Sequence, residues 1–291
     1  MEALLATLQL EQRDPLTWIG RTPASGTLAI YGGQLLAQAL VAMARTVPEG
    51  LAIHSLHAHF LRAGDIAQDV VYSVTPALDS RRFAARHVVA QQGGPAIFMA
   101  SASFHAPEGT HQRFAPQPPV PAPAALESET GFLRRIAWDE RQGRVRASFF
   151  TALWERRSAS WRHPLARGGD APRAGIWWRL RAPPPEDPVL QQALVAYACD
   201  LDLMFTAMRP RGFGAAEPGA QAVSLNHAMW FHRPLRPHAW FYYDLDSPFA
   251  AHNRGLGRGA IYQDGLLAAT VLQEGLFRVP APEPAYTEQE T

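Results

Sequence analysis

Apolar residues along this chain follow two spacings that alternate in a fixed order. Over YGGQLLAQALVAMARTVPEG, residues Leu35, Leu36, Ala39, Leu40 and Met43 recur at helical intervals, and Pro48 marks the end. The segment is apolar nearly all round, so a buried central helix is expected. Four strand-like runs follow at 53–62, 69–78, 83–92 and 96–105. Turn signals separate them at Ala63-Gly64-Asp65, Asp79-Ser80 and Gly93-Gly94. A long helix followed by an antiparallel meander predicts a sheet wrapped on one face around that helix. Ahead of it, Leu4, Leu5, Leu8 and Leu10 make a short helical pattern, and Gly20 to Gly26 reads as loop.

The pattern lapses over 106–185. QPPVPAPA (117–124) reads as an extended linker, and Trp- and Arg-rich mixed or strand-like segments occupy 138–162 and 176–182. Then the first order returns. PVLQQALVAYACDLDLM (188–204) is a helical pattern with Pro188 at its start, followed by a loop containing Gly212, Gly214 and Gly219. Strand-like runs follow at 223–234, 240–250, 254–263 and 266–278.

The two halves align at one offset. Phe60 and Phe231, Arg62 and Arg233, Gln92 and Gln263, and Gly94 and Gly265 are each 171 positions apart (231 − 60). The chain therefore reads as an α+β duplication of a helix-plus-antiparallel-sheet unit. The expected division is 1–115 for the first unit, 116–145 for a linker and 146–291 for the second. Two such sheets are expected to pair edge to edge into one continuous sheet, which hides their edge strands. At this offset Ser224 falls on Ile53 and Gln273 on Ala102, polar against apolar. One functional site per duplicated chain would look like this; an alignment slip of one residue would instead bring in Ser101 or Ser103.

Composition narrows the partners. The net charge of +1 gives no reason to expect nucleic acid or a membrane surface, and no apolar run approaches the ~20 residues of a span. Charges come too early in MEALLATLQLEQRDPL for a signal peptide. The single cysteine, Cys199, allows no intrachain disulfide, and a cytoplasmic location is expected. All 27 basic residues are arginine. With no lysine there is no internal Schiff base for pyridoxal phosphate and no P-loop lysine.

Candidate chemistry centres on VSLNHAMWFHRP (223–234). An unbonded polar group in a buried strand costs roughly 1–3 kcal/mol. This run is therefore either a core strand with satisfied polar residues or the wall of a pocket. On a helix over 188–204, Asp200 and Asp202 would lie about 200° apart. Asp200 falls with Ala196, Tyr197 and Met204 on the apolar side, and Asp202 is expected to be solvated. A buried aspartate needs donors, and Ser224 and Gln273 are candidates. A carboxylate so held can orient and deprotonate a water, with no covalent intermediate and no metal. His57 and His59 share a strand face beside His54 but lack an acidic or thiol partner, so structural roles are expected. His227 and His232 beside Ser224 suggest a Ser-His pairing, but no G-x-S-x-G elbow is present. RGLGRG (254–259) is not a dinucleotide fingerprint.

Four stretches, YGGQLLAQAL, HSLHAHFLRAGD, SLNHAMWFHRP and ATVLQEGLFR, resemble acyl-CoA thioesterase II enzymes. The resemblance covers most of the chain and is weakest over 106–185. It implies a double hot-dog fold and hydrolysis of acyl-CoA to free acid and CoA, with no cofactor or metal. It carries a catalytic trio onto Asp200 in YACDLD, Ser224 in VSLNH and Gln273 in VLQEG. Asp200 would be the base, and the other two would position water and thioester carbonyl. Many members have threonine at the Ser224 position; serine keeps the hydroxyl with a looser rotamer. An apolar tunnel for the acyl chain and a homo-oligomer associating through its sheets are also implied. Arg254 and Arg258 are either contacts to the CoA phosphates or solvated strand ends. Two other readings stand beside this one. A hot-dog enoyl-CoA hydratase would need D-x-x-x-x-H from Asp200, where Phe205 stands. A non-catalytic acyl-CoA-binding protein would not need to retain Asp200, Ser224 and Gln273 together.

Overall fold

The computed structural model of the chain describes residues 2–22, 29–109, 111–138, 152–166, 168–212 and 220–278. The first unit opens with helix α1 (Glu2–Leu8) and a hairpin of β1 (Glu11–Asp14) and β2 (Thr17–Gly20). Helix α2 (Gly32–Ala44) follows, then β3 (Ala52–Phe60), β4 (Val70–Asp79), β5 (Phe83–Gln91) and β6 (Ala96–His105). The hairpin was not expected from the sequence. Its four-residue strands are too short for an alternation to register, and Asp14 sets the turn by accepting from the Leu16 N–H. Helix α2 is buried from Gly33 to Met43, as its nearly all-round apolar surface requires, and its two buried glutamines are bonded, Gln34 donating to the Thr22 hydroxyl and Gln38 to the Thr7 carbonyl.

The strands do not make a simple meander. β4, β5 and β6 run side by side, but β3 pairs with β6, so residues 61–69 cross the end of the sheet. This crossover leaves β3 at the edge where the second unit joins.

The connecting segment lies along the second unit rather than spanning free space. Pro116 bridges to Leu266, the Trp177 indole donates to the Pro121 carbonyl, and the Trp161 indole donates to that of Glu127. Helix α3 (Glu129–Arg135), β7 (Trp154–Arg157) and β8 (Arg173–Leu180) follow. Then come α4 (Pro188–Cys199), α5 (Leu203–Met208), β9 (Gln221–Phe231), β10 (Phe241–Ala251), β11 (Arg254–Gln263) and β12 (Leu266–Arg278). Asp187 caps α4 by accepting from the N–H groups of Val189 and Leu190, with Pro188 in the first turn. Residues 139–151 of the expected Trp/Arg-rich region, and Gly214 and Gly219 of the expected glycine loop, lie outside the described residues.

All pairings are antiparallel, and the strands form one twelve-stranded sheet, β1-β2-β4-β5-β6-β3-β9-β12-β11-β10-β8-β7. This is the continuous α+β sheet expected from the repeat and the double hot-dog fold that the resemblance implies. The units meet where β3 pairs with β9, and His57 stands opposite Ala228. Those two are 171 apart (228 − 57), so the pseudo-twofold axis passes between them. The register repeats without slippage: Leu56 faces Ala102 as His227 faces Gln273, and Ile53 faces Phe104 as Ser224 faces Gly275. Ala102, rather than Ser101 or Ser103, is therefore the counterpart of Gln273.

The units differ where α5 is inserted, and the glycines of RGLGRG make room for it. A Cβ on Gly257 would lie 2.6 Å from the Leu203 carbonyl oxygen and one on Gly255 2.9 Å from the Ala207 Cβ, and on the neighbouring β12 one on Gly275 would lie 2.8 Å from the Met204 sulfur. At the position equivalent to Gly257, the first unit has Arg86, whose buried side chain donates to Thr46 and Asp79.

The expected helix over 188–204 is two helices. The Tyr243 hydroxyl donates to the Cys199 carbonyl at 3.1 Å, taking an acceptor that a continuing helix would give to residue 203. Asp202, expected to be solvated, is buried and holds the Arg156 guanidinium at 2.5 Å. Arg156 also reaches Glu129 at 2.6 Å and stacks over the Trp178 ring at 4.2 Å. One buried arginine thus ties α3 and β7 to the turn between α4 and α5.

Candidate active site

Asp200 caps the C-terminus of α4, where the chain turns away from the helix axis and leaves the carboxylate facing β9 and β12. Gln273 projects from β12 onto the inner face of the sheet and is fully buried. Its amide nitrogen donates to Asp200 Oδ1 at 2.6 Å and to Ser224 Oγ at 2.7 Å. A carboxylate only accepts, so the nitrogen of the amide must face Asp200. Both amide hydrogens are then committed, and the Ser224 hydroxyl keeps its own proton to donate. Among the described residues the hydroxyl meets the Met204 sulfur, a weak acceptor, at 3.4 Å.

Ser224 reaches this position through a β-bulge. Counting back from buried Phe231, Met229 and His227, strict alternation would turn Leu225 inward and Ser224 out. Between Asn226 and Ser224 the β9–β12 register shifts by one residue, so Ser224 faces Gly275 on the inner face. Val223, read from the sequence as a buried strand residue, is 50% exposed for the same reason. The same bulge falls between Ser55 and Ile53 in the first unit, where it turns an isoleucine inward.

The sequence brought three residues together, and the structure adds others. The first unit supplies one wall. A Cβ on Gly32, at the start of α2, would lie 2.8 Å from Asp200 Oδ2 and 3.0 Å from the Phe60 ring. The Tyr31 hydroxyl donates to the Tyr197 carbonyl at 2.9 Å, joining the N-terminus of α2 to the C-terminus of α4. The positive end of α2's dipole thus faces the Asp200 carboxylate. The Gly-Gly pair of YGGQ was the one available signal for this approach. Burial first, and the Asp200 charge second, push the Tyr31 and Tyr197 hydroxyls and the Cys199 thiol up, so all three stay protonated.

His227 faces Gln273 across the β9–β12 ladder, with Nδ1 3.6 Å from Asp200 Oδ1. It approaches the aspartate rather than forming a serine pair. His232 instead meets Thr270 at 2.9 Å, and His54 meets Ser103 at 2.9 Å. Arg258 is paired with Asp246 and Arg254 with Glu274, so both guanidiniums already hold carboxylates. Among the described residues no group of three or more His, Cys, Asp or Glu is placed to hold a metal, and no helix is long and apolar enough to cross a membrane.

A twelve-stranded antiparallel sheet around two helices defines a double hot-dog protein, and in its second unit a carboxylate, an amide and a hydroxyl meet on the inner face. Residues 20–105 match the model of the acyl-CoA thioesterase N-terminal domain, and residues 146–276 that of acyl-CoA thioesterase. The chain is similar to acyl-CoA thioesterase 2 of Haemophilus influenzae, at 33% identity covering 94% of this chain and 96% of that protein. Among solved structures it is similar to an acyl-CoA thioesterase II, TesB2, from Mycobacterium marinum. There the TM-score is 0.78 at 33% identity, covering 96% of this chain and 99% of that one. A conserved protein with hot dog fold from Alicyclobacillus acidocaldarius, TM-score 0.74 at 19% identity over 97% and 100% of the two chains, shares the fold. The chain belongs to the acyl-CoA thioesterase family.

Proposed function

We propose that this chain hydrolyses acyl-CoA thioesters by direct attack of a water that Asp200 deprotonates, with Ser224 and Gln273 as the other catalytic residues. The observation that carries this reading is the single Gln273 amide nitrogen bonded to both Asp200 and Ser224. It holds the carboxylate beside a hydroxyl whose proton remains free to donate. Water oxygen bonds to the thioester carbon while its proton passes to Asp200. The C–S bond then breaks, and the proton on Asp200 leaves with the CoA sulfur, giving free acid, CoA thiol and the starting carboxylate. No covalent acyl-enzyme forms. The Ser224 hydroxyl donates to the thioester oxygen, and the amino end of α2 adds the field of N–H groups that have no intrahelical acceptor. Gln273 holds both neighbours and does not itself donate to the substrate.

The roles of the three segments follow. Residues 1–115 form a unit that lends the wall at Gly32, 116–145 are linker, and 146–291 carry the trio. The chain acts on acyl-CoA in the cytoplasm as a homo-oligomer of dimer size or larger. Support for association comes from Phe83, Val89 and Met99, which stand exposed on the outer face of the sheet.

The test is thiol release from a panel of acyl-CoA chain lengths. Asp200→Asn is expected to lower kcat by about 10²-fold or more, the scale of a lost general base, with the melting transition retained. Binding of acyl-CoA without thiol release at any chain length would make the chain a binding module instead. Wild-type activity in both Asp200→Asn and Gln273→Ala would overturn the assignment of the site.

A further inference from the structure

One turn of chain faces both nitrogens of a single imidazole. Cys199 and Asp200 are consecutive at the end of α4. The Cys199 sulfur lies 3.6 Å from His227 Nε2, while Asp200 Oδ1 lies 3.6 Å from His227 Nδ1. The ring is buried to 1% exposure, and among the described residues Nδ1 has no hydrogen-bond partner. We infer that His227, its tautomer set by the Cys199 thiol, is a positioning residue that holds the Asp200 carboxylate in place to take the proton from water. This rests on the reading of Asp200 as the base.

The hydrogen positions follow from the chemistry of the neighbours. A carboxylate only accepts, so a ring nitrogen facing it must carry the hydrogen. In the neutral ring that leaves Nε2 as an acceptor, which needs a donor. The thiol, which burial and then the Asp200 charge keep protonated, is the donor that faces it, with one hydrogen shared between Nε2 and the Ala196 carbonyl. The thiol also lies 3.4 Å from the Ala196 carbonyl and 3.9 Å from the Met229 sulfur. In the charged ring both nitrogens donate, and Nδ1–H still faces Asp200. Either way a hydrogen on Nδ1 faces Oδ1 of Asp200, the same oxygen that the Gln273 amide holds at 2.6 Å.

The duplication argues against a histidine that merely fills the core. Its counterpart 171 positions earlier is Leu56, fully buried at the same point of the sheet and facing Ala102 as His227 faces Gln273. The inner face therefore changes from apolar to polar at three places in the working unit: Ile53 to Ser224, Leu56 to His227, and Ala102 to Gln273. The first unit shows that a leucine packs well there. The polar ring is present only where Asp200 is.

The test compares His227→Leu, His227→Asn and His227→Gln with Asp200→Asn in the full-length protein, using thermal melts to verify folding. Asparagine puts its amide nitrogen near the place of Nδ1, and glutamine near that of Nε2. His227→Leu is expected to lower kcat at least about tenfold with KM changed less than about threefold, and His227→Asn to recover most of the loss where His227→Gln does not. Cys199→Ser, which keeps a donor, is expected to stay closer to wild-type kcat than Cys199→Ala. If Asp200→Asn is inactive but His227→Leu keeps kcat within about twofold, His227 is only structural and the inference fails alone. Should His227→Leu not fold, equal kcat in the asparagine and glutamine variants overturns it. Wild-type activity in Asp200→Asn would overturn the site reading and the inference with it.

Discussion

Arg86 and Gly257 stand at the same place in the two units, 171 positions apart, and the contrast between them shapes the working half. Arg86 sends a buried side chain inward to Thr46 and Asp79. Gly257 sends nothing inward, and the backbone of Leu203 occupies that space. The seat for α5 is thus made by an absent side chain, and α5 carries Met204, the residue beside Ser224. A methyl group in place of the Gly257 hydrogen meets a carbonyl oxygen at 2.6 Å, and backbone cannot swing aside as a flexible side chain can. Gly257→Ala is expected to cost about 1–3 kcal/mol, the usual range for overpacking, and to lower kcat by displacing α5. Urea unfolding and steady-state kinetics measure both effects. A variant as stable and active as the wild type would show that α5 is not seated by the glycine.

Arg156 is surrounded by Asp202, Glu129 and the Trp178 ring. Removing one partner of a buried ion pair costs about 3–5 kcal/mol because the other charge is left behind. Arg156→Met leaves two carboxylates unpaired and is expected to be more damaging than Asp202→Asn. The pH dependence has a definite sign. Burial outweighs the attraction of Arg156 and holds both carboxyls above their ordinary range. Carboxyls raised in the folded state bind protons there that the unfolded chain has already released. Their contribution to stability is complete below the unfolded values of 3.8 and 4.5 and is lost as pH rises through the folded ones. Without Arg156 the carboxyls rise further, so the deficit of Arg156→Met should widen from about pH 4.5 to pH 7. Urea midpoints at the two pH values test this, and a constant deficit would count against it.

The duplicated order of helix and strands was legible because periodicity and turn residues are local signals. The offset of 171 carried further: it identified Ile53 and Ala102 as counterparts, and the ladders pair them accordingly. What local pattern could not carry was topology and breaks. Nothing in 53–62 indicates that β3 pairs with β6 across the sheet, since the choice is made by a crossover loop. The helix over 188–204 kept its apolar spacing past Cys199, but Tyr243, more than forty residues on, takes the carbonyl that would have continued it. Asp202 looked solvated because its partner Arg156 comes from β7, in the 106–185 stretch where the sequence has no clear period. Ser224 was picked out for its hydroxyl, yet alternation alone turns it outward; only the bulge brings it to Gln273.

Two surface histidines report on pH in the opposite direction to the buried carboxyls. Burial holds His54 and His232 below the ordinary histidine range, and neighbouring His105 adds to this for His54. Between the folded values and the unfolded one near 6.5 the unfolded chain binds more protons, so stability falls as pH is lowered through that window. His54→Gln with His232→Gln keeps a polar group near each Nε2, which meets Ser103 and Thr270. The double variant is expected to lose less of its melting temperature than the wild type between about pH 7 and pH 5. An unchanged slope would mean that neither ring titrates differently on folding.

Gln92 and Gln263 are one of the pairs set 171 positions apart, and they do the same work in each unit. Gln92 accepts from the Asp65 N–H and donates to the carbonyls of Asp65 and Gln68. Gln263 accepts from the Arg236 N–H and donates to the carbonyls of Arg236 and Ala239. Asp65 and Arg236 are themselves 171 apart, as are Gln68 and Ala239. Each glutamine pins the loop that carries β3 or β9 past the end of its sheet, and truncating it leaves buried backbone groups unbonded. Gln92→Ala and Gln263→Ala are each expected to cost about 1–3 kcal/mol. Because the loops are equivalent and distant from each other, the two costs should agree within about 0.5 kcal/mol and add in the double variant. Chemical denaturation of the three variants measures this. A large cost in one unit and none in the other would mean that the duplicated loops are held by different contacts despite their shared geometry.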